Sequence, residues 1–298
     1  MAQYGSFQDT VTLSNGVKMP QFGFGTVFIR EPMIRWAIQN GLRNIDTATD
    51  YANDETIGEE EVGMAIKNCG LPREDVFVTT KVWNSSHGYE ETLKAFEVSR
   101  KALQLDYIDL YLIHWPCPLY DKYIDTWKAL EKLYKEGLVR AIGVSNFMPE
   151  WIERIKNECE ILPMVNQMEC HLFYQQRDVL EYCRANGIQM EAYSPMAHGK
   201  INDSFVVQSI AKKYGKTCSQ IAIRFLYQEK ICFIPRSTKE SRILEYMDSF
   251  DFCLEEEDMQ ILRSLSTAKG RIGEDPYVFN ELKNLKEQKY FLKEKHIR

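Results

Sequence analysis

The stretch "QFGFGTVF", residues 21–28, decides between two folds that both open on a glycine-rich turn. A dinucleotide-binding doubly wound sheet needs G-x-G-x-x-G between its first strand and helix, the third glycine allowing close helix–strand packing. Here Gly23 and Gly25 fill the first two positions, but Phe28 stands at the third. The fingerprint fails, which counts against a doubly wound sheet.

Upstream, "TVTLSNGVKMP" (10–20) reads as a hairpin, with Asn15-Gly16 suited to a turn that needs positive φ. Strand-like runs then recur as 21–25, "RNID" (43–46), "VFVTTK" (76–81), "IDLYLIH" (108–114), "VRAIGVS" (139–145), "MVNQM" (164–168), "IQMEAYS" (188–194) and "ICFIP" (231–235). Between them lie segments with apolar spacing near 3.6, such as 91–105 and 123–137, the latter stopped by Gly137. Residues 203–215 read as an additional helix ahead of the one expected at 217–228. Eight strands with intervening helices and no long linker predict an α/β chain folded as one (β/α)8 barrel. The core is expected at about 7–270, with an N-terminal β-hairpin, extra helices, and a tail at 271–298 over the barrel mouth.

Composition narrows the function. The 298 residues carry 37 basic and 43 acidic side chains, net −6, so no broad basic surface and no nucleic-acid partner are expected. No run of eighteen apolar residues suggests a membrane span. The first residues lack the basic and apolar regions of a secretory signal, so a cytoplasmic protein is expected, a monomer or at most a weak dimer. Eight scattered cysteines without a C-x-x-C pair fit reduced thiols, not a disulfide framework or structural zinc.

In such barrels the reactive groups sit at the C-terminal strand ends. Asp46, Lys81, His114 and Ser145-Asn146 all stand there, and Tyr51 follows Asp46 by five residues. Singly, each has a plainer reading: Asp46 as a cap, Tyr51 as a half-buried loop aromatic, Lys81 as a snorkelling cation, His114 as a core histidine. Jointly they have a shared use. A nearby ammonium lowers a phenol's pKa, a carboxylate aims the ammonium, and an imidazole orients a carbonyl oxygen.

The motifs "NIDTATDYANDETIG", "TTKVW", "LIHWP", "GVSNF", "NQMECH", "AYSP" and "IPRSTKESRILE", in this order over almost the whole chain, resemble those of the aldo-keto reductases. That resemblance implies a (β/α)8 barrel that binds NADP(H) in extended form and reduces an aldehyde or ketone. It also implies that Tyr51 is the general acid, tuned by Lys81 and Asp46, with His114 orienting the carbonyl. Trp83 and Trp115, with Val27, would wall the substrate pocket. Gly25 and Thr26 would border the cofactor; Ser145, Asn146 and Gln167 would hold its carboxamide; Tyr193, followed by Ser194, would stack on the ring.

The segment 234–245 carries the cofactor choice. Arg236 and Arg242 flank Ser237 and Thr238 beside a helix start near Lys239, a set suited to a phosphate dianion. A helix cap with solvated charges is the plainer reading. By resemblance the site takes the adenosine 2′-phosphate, with Glu245 facing the adenine amino group. Val27 replaces a tryptophan common in the family, and Tyr246 an asparagine. The short segment after His114 is similar to the diketogluconate-reductase-like branch.

Three other functions compete. A non-catalytic, cofactor-sensing regulatory protein could share this barrel, although all four catalytic side chains are present. A C=C reductase of this family would carry glutamate in place of His114. A zinc enzyme using Glu169, Cys170 and His171 lacks a ligand spacing, so no metal is expected.

Overall fold

The computed structural model describes residues 4–52 and 58–283. Strands β1 (Thr10–Thr12) and β2 (Lys18–Pro20) pair antiparallel as the expected hairpin, with Gly16 at φ 87° in the turn. The barrel then follows as β3 (Gly23–Gly25), β4 (Asn44–Asp46), β5 (Phe77–Val82), β6 (Ile108–Ile113), β7 (Val139–Ser145), β8 (Val165–Glu169), β9 (Gln189–Tyr193) and β10 (Cys232–Phe233). All eight are parallel and lie in chain order. The ends meet: Phe22 bridges Phe233, whose N–H donates to the Gln21 carbonyl at 2.9 Å, and Gly25 N–H reaches the Pro235 carbonyl at 3.2 Å. The sheet closes into the (β/α)8 barrel that the failed glycine fingerprint left as the better reading.

Helices α1 (Glu31–Gln39), α2 (Glu59–Asn68), α3 (Tyr89–Leu103), α4 (Tyr123–Lys135), α5 (Pro149–Glu158) and α6 (Arg177–Ala185) each follow one strand. Between β9 and β10 lie two, α7 (Phe205–Tyr214) and α8 (Cys218–Gln228); α9 (Glu240–Met247) and α10 (Glu256–Ser264) come after β10. The local chemistry explains the boundaries. Gln104, left-handed at φ 55°, ends α3, while Thr217 and Gln220 form a reciprocal capping box at the start of α8. On α4, Trp127, Leu130 and Leu133 recur every three residues on the buried side, and the Trp127 indole donates to the Ile161 carbonyl at 2.9 Å. Burying a side chain of this size contributes on the order of 2–3 kcal/mol.

Strand alternation places an unusual set of side chains inside the barrel. Asn44, Asp46, Lys81, Gln167 and Glu191 are all at most 1% exposed and are joined by hydrogen bonds. Branched apolar residues usually fill that space. Buried polar groups need partners, and of the buried atoms in this set only Asn44 Oδ1 lacks one among the described residues; the network leads straight to the mouth.

Candidate active site

At the mouth the predicted quartet comes together. Lys81 Nζ donates to Asp46 Oδ1 at 2.7 Å, to the Thr47 carbonyl at 2.9 Å and to Tyr51 Oη at 3.2 Å. Three donors on one ammonium thus meet three oxygens, and the cation is fully buried below the phenol. Tyr51 sits in a 3₁₀ turn, Thr49–Tyr51, whose Thr49 hydroxyl donates to the Lys81 carbonyl at 2.8 Å. The His114 ring stands edge-on to Tyr51, 5.9 Å between centroids.

The electrostatics correct one expectation. Burial, then the carboxylates of Asp46 and Asp50, push the Tyr51 phenol well above its ordinary value of 10.0; Arg236 pulls it down, and Glu191 adds to the rise. Lys81 neutralises Asp46, but the net pull on the phenol is upward. The hydroxyl therefore keeps its proton at neutral pH, but as a weaker acid than a free phenol. Burial also raises Glu191 to about 7, with Asp46 as the next cause.

Sequence reasoning missed a neighbour. Asp50 Oδ1 lies 3.2 Å from His114 Nδ1, close but without forming a hydrogen bond. Asp50 is only 4% exposed, which a residue in a polar turn does not announce.

A cavity of about 1040 Å³ extends from this corner. Asp46, Tyr51 and His114 line it, with Gly25, Thr26, Val27 and Trp115. The predicted Ser145, Asn146, Gln167, Tyr193 and Ser194 line it too, as do Arg236, Ser237, Thr238, Arg242 and Glu245. Several side chains there are already braced. Ser145 Oγ donates to the Gln167 carbonyl at 2.9 Å, Tyr193 Oη to Asn146 Oδ1 at 2.8 Å, and Asn146 Nδ2 to the His114 carbonyl at 3.0 Å. Arg236 donates to the Val27 carbonyl at 3.0 Å, and Glu245 accepts from Thr217 Oγ1 at 2.6 Å. The α9 helix opens at Glu240 with Lys239 as its cap, so its N-terminus lies beside Ser237 and Thr238. Tyr246 also lines the cavity, as do the unpredicted Pro235, Thr217 and Gly273.

Two predicted residues lie elsewhere. Lys81 is beneath the floor. Trp83 is absent from the cavity wall because its ring packs behind His114 at 5.2 Å and its indole donates to the Leu282 carbonyl at 3.0 Å. The tail between 271 and 283 makes that contact: Phe279 packs on Trp115 at 4.3 Å, and Asn84 donates to the Glu281 carbonyl at 2.7 Å. Residues 284–298 of the expected tail lie outside the described residues.

Glu169 anchors the start of the same segment. It accepts from the N–H groups of Ile272 and Gly273, each at 2.7 Å, and its Oε1 is 3.0 Å from His171 Nε2. A Cβ at Gly273 would meet Glu169 Oε2 at 2.7 Å, so a larger residue there would have to displace that carboxylate. Cys170 alternates away, its Sγ donating to the Gln175 carbonyl at 3.7 Å. Strand alternation therefore splits the three residues considered as a zinc set.

Comparison with known proteins gives the class. The model of the aldo/keto reductase family matches residues 30–267. Glyoxal reductase of Bacillus subtilis is 48% identical over 276 residues, covering 91% of this chain and 97% of that protein. The 9,11-endoperoxide prostaglandin H2 reductase of Trypanosoma cruzi is 49% identical over 274 residues, covering 89% and 94%. A Bombyx mori aldo-keto reductase solved in complex with NADP superposes with a TM-score of 0.82 at 31% identity, covering 94% of this chain and 99% of that one. The chain belongs to the aldo/keto reductase family and is a carbonyl-reducing oxidoreductase.

Proposed function

We propose that the protein reduces small aldehydes and ketones to alcohols with NADPH, and that Tyr51 delivers the proton. The contact that carries this reading is Lys81 Nζ to Tyr51 Oη at 3.2 Å, with Asp46 behind it at 2.7 Å. When bound, the nicotinamide supplies the hydride to the carbonyl carbon. The chain's residues do the rest. His114, beside Tyr51 in the wall, aims the carbonyl oxygen at the phenol. Tyr51 gives its proton to that oxygen as negative charge develops there, and Lys81 stabilises the phenolate left behind.

The cavity fits the cofactor's chemistry. Amide and hydroxyl side chains at Ser145, Asn146 and Gln167 suit a planar carboxamide, and the Tyr193 ring suits a stacked heterocycle. Arg236, Arg242, Ser237 and Thr238 at the α9 N-terminus suit a phosphate dianion, which favours NADPH over NADH. Glu245 faces the adenine end. Val27 and Trp115 would border the substrate, while Trp83 supports His114 from behind.

Glyoxal-like 1,2-dicarbonyls are the first substrates to try, given the B. subtilis relative. A cytoplasmic monomer fits eight free thiols and a site built within one chain. No helix among the described residues is long and apolar enough to cross a membrane. The test is a panel of aldehydes, ketones and dicarbonyls assayed with NADPH and NADH. Turnover of at least the aldehydes with NADPH is expected; binding of NADPH without turnover of any of them would favour a sensing role.

A further inference from the structure

Glu191 belongs to no part of the proton-donating group, yet it is fully buried in the barrel beside Gln167, its register partner across β8 and β9. Gln167 Nε2 donates to Glu191 Oε2 at 2.7 Å and to Asp46 Oδ2 at 2.8 Å. An amide nitrogen has two hydrogens, and both are now committed. Turned over, the amide would set its oxygen against the Asp46 carboxylate and give up the bond to Glu191, so this orientation is the favoured one. Only Gln167 Oε1 is left for the cavity that Gln167 lines, and it can only accept. The other Glu191 oxygen is held by Asn44 Nδ2 at 3.1 Å, so the clamp is itself braced.

We propose that Glu191 is a positioning residue that locks Gln167 as a hydrogen-bond acceptor for a ligand amide N–H. The ligand chemistry is a primary carboxamide, and the proposal rests on the reading that Gln167 faces the nicotinamide. A freely turning glutamine would offer nitrogen or oxygen and distinguish poorly between a donor and a non-donor. A locked acceptor distinguishes them, because a ligand without the N–H leaves a buried oxygen unpaired.

The test is equilibrium binding, followed by quenching of protein fluorescence, of NADP+ and of its 3-acetylpyridine analogue, in which methyl replaces the amide NH2. The wild-type protein should prefer NADP+ about tenfold, the scale of one hydrogen bond. Glu191→Met should cut that preference to about twofold, chiefly by weakening NADP+. Glu191→Gln should restore it, since its amide oxygen still accepts from Gln167 and the unpartnered Asn44 Oδ1 can turn to take the new N–H. A wild-type preference retained in Glu191→Met would overturn the proposal. Equal affinities in the wild type would instead overturn the placement of Gln167 against the carboxamide. Should Glu191→Met fail to fold, Glu191→Val removes the same acceptors in a strand-compatible residue and is read by the same two outcomes.

Discussion

Lys81 Nζ donates to Asp46 Oδ1 at 2.7 Å where both side chains are at most 1% exposed. Removing one member strands a charge in the barrel, which costs about 3–5 kcal/mol. Lys81→Met and Asp46→Asn should therefore each lower the urea midpoint strongly. The double variant should lose much less than the sum, because no charge is left alone. Additive losses would mean that the two side chains are not a coupled pair.

Arg242→Ala should raise the Kd for NADPH by about tenfold or more while changing that for NADH less than twofold, on the scale of one charge-assisted hydrogen bond. Arg242 lines the cavity beside Thr238, at the start of α9. Fluorescence titration with both cofactors decides it; equal losses would remove Arg242 from the phosphate site.

Two buried groups give opposite pH signatures. Burial raises Glu59 from 4.5 to about 7, against a hydrogen bond from Thr80 at 2.6 Å. Its native carboxyl holds a proton that the unfolded chain releases, so its presence costs stability as pH rises from about 4.5 to 7. Glu59→Gln should thus gain on the wild type across that window. Burial lowers His87 from 6.5 to about 3, with the charge of His114 as the second cause. Its unfolded form takes up a proton that the native form refuses, so stability is lost as pH falls from 6.5 toward 3. His87→Asn should gain on the wild type in acid. Urea unfolding at a series of pH values reads both, and parallel curves for variants and wild type would contradict the assignments.

How much of this was legible follows from where each signal lives. Asp46, Lys81 and His114 end strands whose apolar runs are plain, so barrel geometry predicted their convergence before any coordinate. The run 139–145 matches β7 residue for residue. Asp50 is not signalled by the sequence, because nothing local says that its carboxylate approaches His114. Trp83 was placed in the substrate wall, but a carbonyl at Leu282, 199 residues away, fixes its ring elsewhere. The direction of the Tyr51 shift depends first on burial, then on Asp46 and Asp50; Asp46 is visible in the sequence, but the burial and the approach of Asp50 are not written in spacing. Glu191 is one polar position in the run "IQMEAYS", and its place beside Gln167 shows only in the strand register.

The central claim is that Tyr51 gives up the proton while the rest of the site binds and aims. Tyr51→Phe removes one oxygen and almost no volume, so the decisive measurement is its kcat for an aldehyde beside its Kd for NADPH. The account predicts a fall in kcat of about 10²–10⁴-fold with Kd within about twofold of wild type. A kcat within tenfold of wild type would contradict it, and the proton would have to come from another group.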